Sequence, residues 1–67
     1  MIRVTVNGEE RNVRSGLTVT QLVSGFDLEP SRVAVEHNRQ VLPRARYDEV
    51  IVSPGDTFEI VQIVGGG

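Results

Sequence analysis

The residues best placed to do chemistry in this chain are three consecutive glycines. Gly65, Gly66 and Gly67 follow the apolar run IVQIV at residues 60–64 with no polar linker between. Glycine has no Cβ, so such a run enters a slot too narrow for any side chain. Fully extended, it reaches about 10 Å. The α-carboxylate of Gly67 has an ordinary pKa of about 3.3–3.7 and is ionised at neutral pH. A carboxylate is a poor electrophile. A partner that joins it to the α-phosphate of ATP makes a mixed anhydride, an acyl-adenylate, from which a nucleophile displaces AMP. The other reading is a frayed end with no role, which is common for chain termini.

No other constellation competes. His37 is the only histidine; on a strand beside Val33 and Val35 it is expected to pack at the margin of the core. Asp48 and Glu49 are neighbours in a loop, whereas a catalytic carboxylate pair needs facing side chains with divergent pKa values. Asp56 belongs to a turn, and Arg44 and Arg46 read as solvated charges able to meet an acidic partner. The phosphate-binding pattern G-x-x-x-x-G-K is absent, and one histidine without a serine partner makes no triad. The chain is not expected to be an enzyme on its own.

Composition narrows the classes. Sixty-seven residues make one small domain with little room for an enclosed active site beside a core. The formal net charge of −2 argues against a nucleic-acid partner, which favours a basic stripe. With no cysteine there is no disulfide, thiol nucleophile or thiolate metal site. The opening MIRVTVNG lacks the apolar core of a signal peptide, and no apolar run is long enough to span a membrane. The expected compartment is the cytoplasm. All seven basic residues are arginine, a bias that codon usage explains as well as any role does.

The elements that must hold the glycine end in place follow from local patterns. Residues 2–6, IRVTV, alternate as a half-buried strand. Asn7-Gly8 is a type I′ hairpin signal, and residues 9–14 form a polar return strand fit for a sheet edge. Thr18 with Gln21 makes a capping box, and Leu17 with Leu22 a hydrophobic staple. Val19, Leu22, Val23 and Phe26 share one helical face, so a helix is expected over about 18–26, followed by an exit loop through Pro30. Residues 33–37 and 40–42 read as strands around an Asn38-Arg39 turn, and Pro43 ends the second. Residues 44–50 show no period and are expected to be irregular, with a helical turn near Tyr47. A turn at residues 54–56 leads into a last strand over 57–64. One mixed sheet of four to five strands with one main helix across a face is expected, α+β, with the apolar first and last strands parallel and central. That is the ubiquitin-like β-grasp arrangement, with residues 1–64 as the body and 65–67 as a flexible glycine tail. On the last strand Phe58 and Ile60 face the helix and Glu59, Val61 and Ile63 the other side. These three either form a docking patch beside the tail or are covered by the segment at 44–50.

The chain resembles the ThiS family, the sulfur carriers of thiamine thiazole biosynthesis. The resemblance rests on VNG at residues 6–8, VAVEHN at 33–38, VLPR at 41–44 and PGDTFEIVQIVGGG at 54–67, in that order and at this length. His37 departs from the apolar residue more usual there, and Arg39 from the glycine common in the turn. The resemblance implies that a ThiF-like adenylating enzyme activates the Gly67 carboxylate with its own ATP and magnesium. Sulfur drawn from cysteine through a desulfurase then makes a thiocarboxylate, and a ThiG-like thiazole synthase takes the sulfur. Gly65 and Gly66 thread into the partner, and this chain holds no cofactor. A MoaD-like carrier for molybdopterin or another thiolation pathway, a ubiquitin-like modifier and an inert β-grasp module are the competing expectations.

Overall fold

A computed structural model describes residues 1–63. Val64 and the glycine end, Gly65, Gly66 and Gly67, lie outside the described residues, and so does the expected boundary between body and tail.

The first two strands, β1 (Ile2–Val6) and β2 (Glu9–Val13), form an antiparallel hairpin with Ile2 opposite Val13 and Val6 opposite Glu9. The turn puts Asn7 at φ 51° and Gly8 at φ 81°, the left-handed pair that a type I′ connection requires. Helix α1 (Val19–Gly25) starts as the sequence dictates. Thr18 Oγ1 accepts the Gln21 N–H at 3.2 Å, and Gln21 Oε1 accepts the Thr18 N–H at 2.9 Å. Seven residues are too few for a helix to stand alone; α1 depends on burying Val19, Leu22 and Val23 against the sheet.

The exit loop contains a 3-10 turn at Pro30–Arg32, begun by the proline whose φ is already fixed near helical values. Strands β3 (Val33–His37) and β4 (Gln40–Leu42) pair antiparallel. A second 3-10 turn, Arg44–Arg46, delivers Tyr47 into the core, where its hydroxyl donates to the Val33 carbonyl at 3.3 Å.

The last strand, β5, is Thr57–Gln62. Of the expected 57–64, Ile63 falls outside the strand for a reason of pairing, and Val64 lies outside the described residues. The neighbouring β3 begins at Val33, directly opposite Gln62. Arg32, the residue before β3, belongs to the 3-10 turn, and the Ile63 N–H donates to its carbonyl at 2.8 Å.

The sheet order is β2-β1-β5-β3-β4, with β1 and β5 parallel and the other pairs antiparallel. With α1 across one face, this is the expected ubiquitin-like β-grasp. The core lies between helix and sheet, centred on Phe58, which is 0% exposed.

Candidate functional site

Strand β5 carries the chain to its glycine end, so its two faces define the site. Period-two alternation turns Phe58 and Ile60 into the core and leaves Glu59 and Val61 on the open face of the sheet. Val61 is 61% exposed, and Ile63 just past the strand is 51% exposed. The segment at 44–50 does not cover them. It is tied to the helix side: the Thr20 N–H donates to the Tyr47 carbonyl, the Val19 N–H to the Val50 carbonyl, and the Thr20 hydroxyl to Asp48 Oδ1.

The neighbours of these residues on the open face come from β3 and β4. Val61 stands opposite Ala34, Glu59 opposite Glu36, and Glu36 opposite Val41, which is 77% exposed. The sequence already held this signal, since VAVEH alternates and Ala34 and Glu36 must oppose the buried Val33 and Val35.

β5 is held firmly up to this point. Asn7, at the tip of the first hairpin, treats Ile60 as a strand partner: Asn7 Oδ1 accepts the Ile60 N–H at 2.8 Å, and Asn7 Nδ2 donates to the Ile60 carbonyl at 3.1 Å. With the Ile63 bond to Arg32, the scaffold grips the last strand on both flanks. Sequence reasoning read Asn7 only as a turn residue, because nothing local reports a bond across 53 positions.

The other candidates are structural. His37 lies at the core margin, its ring stacked on Phe58 at 4.8 Å between centroids and 12° between planes. Its Nε2 is 3.0 Å from Asp56 Oδ2. Asp56 is buried and also accepts the Ser53 N–H at 2.8 Å and Asn38 Nδ2 at 3.2 Å. Burial pushes this carboxyl up. The Ser53 and His37 hydrogen bonds, the Asn38 bond and the nearby imidazole outweigh it, and the net pKa falls below the ordinary value of 3.8. The cluster closes the turn before β5 and lies at the opposite end of that strand from Ile63. Asp48 and Glu49 engage different partners, the Thr20 hydroxyl and Arg46. Arg44 donates to the Val33 carbonyl. Among the described residues no group of three or more His, Cys, Asp or Glu is arranged to hold a metal, and no helix is long and apolar enough to cross a membrane.

What the site offers, then, is an open apolar and acidic surface at the root of the glycine end. The proposed reacting atoms, the tail of Gly65 and Gly66 and the carboxylate of Gly67, lie outside the described residues.

Comparison with known proteins gives three findings. The ThiS family model matches residues 4–67. Among curated relatives, a thiazole synthase of Paramagnetospirillum magneticum is 39% identical over 66 residues, 98% of this chain. This chain spans only 20% of that protein's length. A sulfur carrier protein ThiS of Bacillus subtilis is 40% identical over 50 residues, covering 75% of this chain and 76% of its own. Among solved structures, the crystal structure of a thiamine biosynthesis protein (ThiS) from Geobacter metallireducens superposes with a TM-score of 0.83 at 36% identity, covering 98% of this chain and 100% of that one.

Proposed function

The chain belongs to the ThiS family, and from that membership we propose that it is a sulfur carrier of thiamine biosynthesis, a protein co-substrate rather than a catalyst. The observation that carries this reading is the reach of the family match, which runs through Gly67 and so takes in the whole glycine end. The relative named as a sulfur carrier and the relatives named as thiazole synthases support the pathway.

The mechanism follows from the chemistry of the terminus. A ThiF-like enzyme, supplying ATP and magnesium, adenylates the Gly67 carboxylate and releases pyrophosphate. Sulfur drawn from cysteine through a desulfurase as a persulfide, and reduced by a thiol to the sulfide level, displaces AMP and leaves a thiocarboxylate. A thiazole synthase then takes that sulfur. Glu59, Val61 and Ile63 dock on the partner while Gly65 and Gly66 thread toward its reaction centre. Because β5 is gripped up to Ile63, four residues remain to cover that distance, at most about 14 Å.

The test is intact-mass measurement after incubation with the adenylating enzyme, ATP, magnesium and a sulfur source. The expected product has one terminal oxygen replaced by sulfur. An unchanged mass, with an enzyme proven active on another carrier, overturns the reading. A lysine-linked adduct points to a protein modifier instead. Rescue of a deletion strain by the thiazole precursor, rather than by molybdopterin, assigns the pathway.

A further inference from the structure

We propose that the enzyme seated on the open face of the sheet presents an arginine to this chain, its guanidinium placed between Glu36 and Glu59. The inference rests on the carrier reading above and adds the chemistry by which the docking partner is recognised.

Glu36 and Glu59 are directly opposite on β3 and β5, both exposed on the open face. Like charges in that position repel and destabilise the sheet. The chain has the means to neutralise them and uses it elsewhere. The other acidic residues in strands, Glu9 and Glu10, have Arg11 at 2.9 Å and Arg3 at 3.9 Å. Among the described residues Glu36 and Glu59 have no cationic partner, although the chain contains seven arginines. The repelling pair is therefore kept without compensation on a surface that also exposes Val41 and Val61.

The surroundings select the cation. Val41 flanks the pair across β4, while Val61 and Ala34 form the next row toward the chain end. A metal ion would want more oxygen ligands than two side chains on a flat face supply. A long side chain with an apolar stem and a charged tip matches the surface: its methylenes lie on Val41 and Val61, and its head reaches the carboxylates. A planar guanidinium can donate to both carboxylates at once, which an ammonium does less well. Along β5 the acidic row stands about 13 Å from Ile63, at 3.3 Å per residue. A single enzyme surface can therefore hold the arginine at one end and receive the glycines at the other.

The experiment is the loading assay run as initial rates against carrier concentration, for wild type and for E36Q/E59Q, at low and at high salt. The expected result is a KM raised about tenfold or more in the double variant at low salt, with kcat little changed and the salt dependence of KM flattened. Glutamine keeps the shape and removes the repulsion, so the variant is expected to melt at or above the wild-type temperature, which separates lost docking from lost folding. If wild type is loaded and E36Q/E59Q shows the same KM and salt dependence, this inference fails and the carrier reading stands. If wild type is not loaded by an active enzyme, the carrier reading itself fails. Sedimentation giving a wild-type dimer that the double variant lacks would assign the face to a second copy of the chain and overturn the proposal.

Discussion

At the scale of single residues, Asn7 meets two demands at once. It sits at positive φ, and its side-chain amide completes the sheet by pairing both ways with Ile60. The substitution Asn7→Gly separates these, since glycine keeps the turn but leaves the Ile60 amide without its partner. Urea unfolding is expected to show a loss of about 1–3 kcal/mol. Asp56 makes a different prediction. Its pKa is lowered in the folded state, so its contribution to stability is complete above the unfolded value of 3.8 and is lost as pH falls through the folded value. The stability gap between wild type and D56N should therefore narrow in that acid range when thermal unfolding is followed against pH. A gap independent of pH would show that the carboxylate charge is not what the turn uses.

At the scale of elements, the sequence was legible wherever a signal is local. IRVTV alternates, Asn7-Gly8 demands a left-handed pair, and Thr18 with Gln21 announces the start of α1. All three stand as expected. What could not be read is what depends on distant partners. The end of β5 at Gln62 is decided by where β3 begins. Tyr47 is buried in the core with its hydroxyl satisfied by the distant Val33 carbonyl. The pairing of Glu36 with Glu59 needs the register of two strands 23 positions apart. At the site, the outward direction of Val61 and Ile63 was legible, but their exposure was not, because residues 44–50 could have folded over either face. The β3–β4 turn yields a prediction at this scale. Asn38 and Arg39 both hold positive φ, at 52° and 71°, and a left-handed arginine is strained. Arg39→Gly is expected to stabilise the domain by about 0.5–1 kcal/mol, read as a rise of a few °C in Tm. A fall in Tm would mean that the Arg39 side chain matters more than its backbone.

At the scale of the molecule, the proposed division between a folded scaffold and a reactive glycine end predicts the effect of removing Gly67. Deletion of this one residue is expected to abolish adenylation while leaving Tm within about 1 °C of wild type, since a change far below 1 kcal/mol moves a domain of this size by no more. A large drop in Tm would show that the end is part of the fold.

The side-by-side course of β1 and β5 also governs how the protein responds to force. Tension applied between Ile2 and Gln62 runs along two parallel neighbours in opposite senses. It loads together the bonds from Thr5 N–H to Asp56, Asn7 N–H to Phe58 and Gly55 N–H to Arg3, along with the double Asn7 clasp on Ile60. They must shear as a set instead of unzipping one by one. Stretching the chain between these two points is therefore expected to break the body only when the whole set yields at once.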